Sequence, residues 1–337
     1  MKQPFSPRKL LLPLVPAYRL ALALRALRLG TKLEPVRRLR FPVVSIGNLS
    51  AGGAGKTPAT IALAKALALR GLRVDVLSRG YGRQGKVPAR VDPAGTAEQF
   101  GDEPLLIAQE AGVPVYVARQ RFEAGLLAEA DGSTASLPTV HLLDDGFQHR
   151  QLHRDVNILL ASGQDWQEGL LPAGNLREPL QAARRADVIA IPANEPEFEA
   201  ELRTWGWQGP VWRLHRTMEV PAADGPVVAF CGIARAEQFF AGLEAAGLHI
   251  AARIAFADHH RYSSADMERL VAAARKTGAT TLFTTEKDRV RLGTLSAAFM
   301  ESLPLKTVRL RVQIEHEDEA VEWLVDQLRL APVRPPL

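Results

Sequence analysis

The chain has one cysteine, Cys231, in 337 residues. It can therefore build neither a disulfide framework nor a cysteine-based zinc site, and it suits a reducing cytosol in which Cys231 is a small buried hydrophobe. Zinc-finger spacing, an RRM-type aromatic motif and a basic stripe interleaved with aromatics are all missing, so nucleic acid is not the expected partner despite a net charge of +5. Long apolar runs are missing too. Pro13, Pro16, Arg19, Arg25 and Arg28 interrupt Leu10 to Leu29, too often for a span of ~20 apolar residues. There is no internal repeat and no low-complexity segment, and no motif implies an obligatory protein partner. Acidic residues are nearly absent from the first forty positions, where ten Lys and Arg meet only Glu34.

That asymmetry points to an anionic surface. In a helix from about Pro16 onward, Leu20, Leu24 and Leu27 share one face by their spacing of four and three, and Arg25, Arg28 and Lys32 share another. The pattern fits a helix lying in a membrane interface. It fits equally a helix packed on its own domain, and basic residues before Leu10 to Leu14 also admit a signal peptide.

Past residue 40 apolar runs alternate with helical patterns, the mark of an α/β fold with a mostly parallel sheet. Strands are expected at Val43 to Ile46, Val74 to Leu77, Val115 to Ala118, Thr139 to Leu143, Asn157 to Leu160 and Val188 to Ile191. Helices are expected at Pro58 to Arg70, Glu103 to Ala111 and Phe122 to Ala130. Composition breaks at Trp205 to Pro210 and Val220 to Pro226 separate these from a second alternation. That alternation runs from a strand at Val227 to Cys231, through a helix near Leu295 to Leu303 and a strand at Thr307 to Gln313, to a closing helix at Asp318 to Leu330. The expected organisation is an N-terminal amphipathic segment (1–35), a phosphate-loop domain (36–220) and a smaller α/β domain (221–337), with Pro332 to Pro336 as a frayed tail.

The run Gly47 to Pro58, GNLSAGGAGKTP, follows a strand and opens a helix, where a phosphate-binding loop belongs. Gly52, Gly53, Ala54 and Gly55 let backbone amides approach phosphates. Lys56 neutralises the β and γ oxygens, Thr57 offers its hydroxyl to magnesium, and Pro58 starts the helix without losing a needed donor. Ser50 stands where the strict pattern wants glycine. Such a loop needs a carboxylate at the end of a neighbouring strand, and Thr139 to Asp145 supplies two, Asp144 and Asp145.

Together with Ser78-Arg79-Gly80-Tyr81-Gly82, Gly101-Asp102-Glu103-Pro104, Asp144 to His149, Leu171 to Pro179, Phe230 to Ala234, Asp258-His259-His260 and Thr284 to Asp288, this loop resembles the tetraacyldisaccharide 4'-kinase family over nearly the whole chain. Several separated motifs in one order are more specific than any one of them, and Ser50 fits the family's own habit. The resemblance implies transfer of the ATP γ-phosphoryl group to the 4'-hydroxyl of a lipid-linked disaccharide 1-phosphate. It also implies a P-loop kinase domain over 36–220, ATP and magnesium as cofactors, and a peripheral location on the cytoplasmic face of the bacterial inner membrane.

For catalysis, Asp102 is the expected base, although an acid opening a helix after a glycine is equally an N-cap. The resemblance suggests a histidine partner for it, His259 or His260, with His259 preferred over a metal or core role. Lys56 and Asp145 complete the catalytic set. Thr57, Asp144, Asp145 and, by resemblance, Glu178 are the expected magnesium residues, with a surface ion pair the other reading of Glu178. Arg79, Arg119, Arg121, Gln148 and His149 are expected on the substrate, the arginines because guanidinium matches phosphate geometry, although each arginine also suits a solvated face. The rival reading is a nucleotide-driven switch or partitioning ATPase. Its loop carries a lysine before the paired glycines, where this chain has Ala51.

Overall fold

A computed structural model of the chain describes residues 7–29, 31, 34–53, 55–132, 137–295 and 303–330. Lys2, Lys32, Ala54, most of the helix expected near Leu295 to Leu303, and the tail Pro332 to Pro336 lie outside the described residues.

The chain opens with a 3-10 turn, Pro7–Leu14, that runs into α1, Val15–Arg28. Pro13 and Pro16 do not interrupt it, because Pro16 stands in the first turn of α1, where its missing N–H leaves no bond unmade. The expectation that this stretch is too broken to span a membrane is corrected accordingly. Arg8–Arg28 forms one helical stretch of 21 residues whose most apolar 18-residue window has a mean hydropathy of 1.6, long and apolar enough by length and composition to cross a membrane, and none of that window is buried. Val15 and Tyr18 pack against the body of the protein, whereas Leu20, Leu24 and Leu27 point outward at 62%, 48% and 75% exposure.

The elements then alternate as β1 (Val43–Asn48), α2 (Lys56–Leu69), β2 (Arg73–Ser78), β3 (Ala89–Arg90), α3 (Ala97–Phe100), α4 (Asp102–Ala111), β4 (Val115–Val117), α5 (Arg121–Asp131) and β5 (Thr139–Asp144). They continue with β6 (Val156–Leu160), α6 (Gly163–Trp166), β7 (Val188–Pro192), α7 (Pro196–Thr204) and β8 (Val211–Glu219). After residue 220 come β9 (Val227–Cys231), α8 (Ala236–Ala245), β10 (Ile250–Ala255), α9 (Ser264–Thr277), β11 (Thr281–Thr285), α10 (Glu286–Leu292), β12 (Leu305–Ile314) and a closing helix, Glu317–Leu330. Strands expected from continuous apolar runs fall within a residue or two of these bounds. Cys231 is buried, as its size and environment require.

The strands form one twelve-stranded sheet in the order β10-β9-β11-β12-β8-β7-β6-β1-β5-β2-β4-β3. β1 is buried throughout and runs parallel to both β5 and β6. Its carboxyl end is thus a point where the chain winds off in two directions, the usual place for a ligand in such sheets. Of the two strands missed by sequence reasoning, β3 at one edge and β8, the latter is the join. β8 runs parallel to β7 but antiparallel to β12, with Glu219 opposite Arg309 and Leu214 opposite Ile314. β11 pairs instead with the first half of β12, Leu305 to Val308.

This stagger sets the second block of strands beyond the carboxyl edge of the first, running the opposite way. Both carboxyl edges therefore face each other across one cleft. The closing helix returns to the first block, burying Ala320, Val321, Leu324 and Leu328 in the same core as Ile61, Leu63 and Leu67 of α2. Each large apolar side chain so buried contributes roughly 1.5–3 kcal/mol.

Candidate active site

The phosphate-binding loop leaves β1 at Gly47, where a Cβ would come within 2.6 Å of the Phe147 Cβ, so only glycine lets the two loops pass. Asn48 and Ser50 then turn inward. The Asn48 amide donates to Ser50 Oγ at 2.8 Å, and Lys56 Nζ donates to Asn48 Oδ1 at 3.1 Å. Lys56 also lies 3.6 Å from Asp145 Oδ1. Gly55 caps α2 in the left-handed region (φ 79°), aiming the helix's free N–H groups into the cleft, the requirement for gripping an anion. Gly52, Gly53, Gly55, Lys56, Thr57 and Pro58 all line that cleft, whose volume is about 2000 Å³.

Asp144 and Asp145 separate in role as soon as β5 ends. Asp144 is buried and receives hydroxyl hydrogen bonds from Thr60 at 3.2 Å and Ser78 at 3.4 Å. Burial, with the nearby Glu103 and Asp145 charges, pushes its carboxyl up to about 7. Asp145 takes a left-handed backbone conformation (φ 47°) that turns its side chain the other way, onto Arg177 Nη1 at 3.1 Å. Burial raises its pKa, but the charges of Lys56 and Arg177 outweigh that and hold it below the usual range. A strained conformation here, in a non-glycine residue, marks a position held by its surroundings.

These acids fit a divalent cation. A fully buried carboxyl near 7 beside two other acids is a site whose negative charge is only partly balanced, and Thr57 and Glu178 face the same cleft. Glu178 pairs with Arg185 at 2.8 Å through one oxygen, while its other, Oε1, is buried and has no hydrogen-bond partner among the described residues. No cluster of three or more protein ligands occurs among the described residues. Magnesium completes its shell with water and phosphate oxygens and so asks few ligands of a protein.

On the opposite wall, the second block brings its carboxyl edge to the start of α4. Asp102 Oδ2 meets His259 Nδ1 at 3.0 Å and Arg291 Nε at 2.7 Å. Lys287, one turn before Arg291 on α10, pairs with Glu103 at 2.5 Å. Burial opposes charge on Asp102, but the His259 hydrogen bond and the Arg291 charge win and keep it well below the usual carboxylate range. The same bond raises His259, against burial. His260 turns away to Asp266 at 3.1 Å and stacks on Phe256, which settles the choice between the two histidines as partner of Asp102.

The third wall is basic. Arg79, Arg119, Arg121, Gln148 and His149 line the cleft beside Arg25 and Arg177. His149 is driven down to about 3 by burial and then by Arg121, Arg154, Arg25 and Arg79, so a neutral imidazole sits inside a ring of guanidinium groups. Such a ring is suited to phosphate. Helix α1 closes this side, with Tyr18 donating to the Arg177 carbonyl at 2.8 Å and Arg25 reaching the Gln148 carbonyl at 3.4 Å.

Sequence reasoning gave no role to Asn48, Thr60, Ser78, Tyr18, Arg216 or Arg291. Asn48 was within reach, since it stands in the loop motif itself. Arg216 packs its guanidinium 3.2 Å from where a Gly55 Cβ would be, and it comes from the unanticipated strand β8. Arg291 lies one helical turn past a recognised motif, with no local signal.

The family model described as tetraacyldisaccharide-1-P 4'-kinase matches residues 7–329. A tetraacyldisaccharide 4'-kinase of Koribacter versatilis is 40% identical over 324 residues, covering 93% of this chain and 97% of the relative. One from Geobacter metallireducens is 38% identical, covering 86% and 94%. The crystal structure of LpxK from Aquifex aeolicus in complex with ATP superposes with a TM-score of 0.75 at 33% identity, covering 95% of this chain and 99% of that one. A match spanning both blocks of strands, and not the phosphate loop alone, places the chain in the tetraacyldisaccharide-1-P 4'-kinase family.

Proposed function

We propose that the protein transfers the γ-phosphoryl group of ATP to the 4'-hydroxyl of a tetraacylated glucosamine disaccharide 1-phosphate while resting on a membrane surface. One observation carries this reading. The phosphate loop, the paired acids, His259 with Asp102 behind it, and a ring of arginines meet at a single cleft, one side of which is α1 through Tyr18, Leu22, Arg25 and Ala26. Residues 1–35 serve as anchor, 36–220 as nucleotide lobe and 221–337 as covering lobe, with the closing helix sharing the nucleotide lobe's core.

Phosphoryl transfer asks for positioning and charge balance more than covalent chemistry. The loop amides and Lys56 hold the triphosphate. Thr57, Asp144, Asp145 and Glu178 hold magnesium, which when bound neutralises charge building on the phosphate oxygens. Arg79, Arg119, Arg121, Gln148 and His149 orient the anionic acceptor, and the Asp102–His259 pair takes its hydroxyl proton. A switch ATPase needs no wall for an acceptor, and Ala51 stands where its loop carries lysine. Labelled ATP and lipid disaccharide phosphate, with the new phosphate located on the sugar, test the reading. ATP turnover without acceptor phosphorylation would overturn it.

Magnesium should stabilise the protein in a pH-dependent way. Asp144 is raised in the fold, so the folded state prefers it protonated, and stability falls as pH climbs from about 4 toward 7 and levels off above that, where the charged form carries the full cost. Millimolar magnesium is expected to raise Tm by several degrees at pH 8 and much less at pH 5. Asp144→Asn should remove that difference, and an unchanged pH dependence in the variant would show that Asp144 does not hold the ion.

The outward leucines of α1 give the membrane a measurable part. Leu20, Leu24 and Leu27 are exposed, so replacing all three with serine leaves the fold intact. Removing three apolar side chains from the interface should weaken binding to anionic vesicles by about a thousandfold, since each contributes about 1.5 kcal/mol when buried. ATP binding should stay unchanged, and equal sedimentation of wild type and variant would exclude α1 as the anchor.

A further inference from the structure

We propose that Arg216, on the strand that joins the two blocks of the sheet, is a further phosphate-binding residue of the enzyme, and that its guanidinium takes the β-phosphate of the bound nucleotide. The proposal rests on the kinase reading above and adds one residue to its nucleotide site.

The sequence of β8 sets Arg216 apart. Alternation along a strand puts Trp212, Leu214, Arg216 and Met218 on one face. Trp212 and Leu214 are buried in the core that α2 shares, and Met218 packs against the core of the second block. Arg216 is the one charge among the four, at the place where the strand crosses from one core to the other. β7 pairs with β8 only as far as Leu214, so at Arg216 the sheet has narrowed to two strands, with Val312 of β12 opposite.

That crossing lies over the phosphate loop. Measured from the point where a Gly55 Cβ would stand, Arg216 Cζ and Nη2 are at 3.2 Å and Nε at 3.4 Å. The central carbon is as near as the nitrogens, so the flat face of the guanidinium covers the glycine and its donor edge runs along the loop.

Charge shows what such a group is for. Lys56 and Arg216 both stand at the amino end of α2, the positive pole of its dipole, where cations are unfavourable until an anion joins them. Asp145 answers Lys56 at 3.6 Å. Arg216 is exposed within the cleft, yet the walls that crowd it, and then Arg235, lower its pKa, against the support of Glu195 and Asp165. Both acids also serve other groups. Glu195 Oε2 accepts from the Gly163 N–H at 2.7 Å, and Asp165 Oδ1 accepts from Arg235 Nη2 at 3.1 Å. The second contact ties Arg235 to Asp165, which leaves Arg216 as the arginine of this wall that lies on the loop itself.

The loop also decides which phosphate is met. Backbone amides of such a loop cradle the α and β phosphates, and its lysine reaches the β and γ. Lys56 turns its ammonium toward Asn48 and Asp145, and Arg216 covers the residue before it, so the β-phosphate is the group both can reach. In the transfer step the acceptor oxygen bonds to the γ-phosphorus, and its proton passes to the Asp102–His259 pair. The bond from that phosphorus to the β–γ bridging oxygen breaks with its electron pair left on ADP. Arg216 balances the charge that arrives there.

The test is binding of ADP and of AMP, with magnesium, to the full-length protein by calorimetry. Wild type and Lys56→Ala are measured first. A wild type that does not bind ADP, or a Lys56→Ala variant that binds it as well as wild type, sinks the nucleotide site and this inference with it. Arg216→Gln should weaken ADP about thirtyfold and AMP less than about twofold, and Arg216→Lys should regain part of the loss by keeping the charge without the fork. With lipid disaccharide phosphate as acceptor, kcat of Arg216→Gln should fall about a hundredfold. If Lys56→Ala weakens ADP and Arg216→Gln does not, the nucleotide site stands and Arg216 is overturned as one of its residues. AMP weakened as much as ADP also overturns it. Phenylglyoxal labelling of wild type, mapped by mass spectrometry, needs no variant to fold. ADP should protect Arg216 and AMP should not, and equal labelling of Arg216 with and without ADP would overturn the proposal.

Discussion

Replacing Lys56 with alanine is expected to lower kcat about a thousandfold or more while leaving the protein folded. Its ammonium group is held 3.1 Å from Asn48 Oδ1 and 3.6 Å from Asp145. It is therefore aimed before nucleotide arrives and needs no reorganisation when charge shifts onto the β and γ oxygens. Fold should survive because Asp145 keeps its bond to Arg177 at 3.1 Å. Asp145→Ala should lower transfer to a similar degree by a different route, since it frees both Lys56 and Arg177 from their common partner and removes a magnesium residue. Steady-state transfer measured beside nucleotide affinity separates the two effects. Near-normal turnover in either variant would remove the assigned nucleotide site.

Asp102→Asn should cost transfer about as much, 10³-fold or more, but with ATP affinity nearly unchanged, because Asp102 lies on the wall opposite the phosphate loop. The amide can donate to His259 Nδ1, which reverses the imidazole tautomer and removes the carboxylate charge from the pair. Asp102→Ala should in addition destabilise the protein by about 3–5 kcal/mol, the usual cost of leaving a buried partner such as Arg291 uncompensated. Asp102 is depressed in the fold, so the stability it contributes is present at neutral pH and is lost only as pH falls below about 4. Chemical denaturation at pH 7 and at pH 3 should therefore show the gap between wild type and Asp102→Ala shrinking in acid. A constant gap would mean that the carboxylate charge contributes nothing.

Local pattern was enough for the first block of strands. Continuous apolar runs such as VVSI and HLLD, bounded by glycine and acid, can be buried only as central strands, and the loop between β1 and α2 carries its chemistry in adjacent residues. β8 was not legible for the opposite reason. Val211–Glu219 alternates only as far as Leu214, continues through the polar run His215 to Thr217 and stands between two turn-rich stretches, so it reads as a linker until β12 arrives to pair with it from about ninety residues away. The length and continuity of the N-terminal helical stretch were likewise hidden by prolines that the first turn of a helix tolerates.

By itself the sequence determined where the glycine-rich loop and the paired acids stand, since Gly52 to Pro58 and Asp144–Asp145 are neighbours in the chain and follow the strands β1 and β5. Only the tertiary structure decided which groups surround Asp102. Asp102, His259 and Arg291 are separated by 157 and 32 residues along the chain. They meet only because β12 runs antiparallel to β8 and turns the second carboxyl edge back upon the first. Electrostatics between groups so far apart in sequence depends on distance and burial, and neither exists until the sheet is complete.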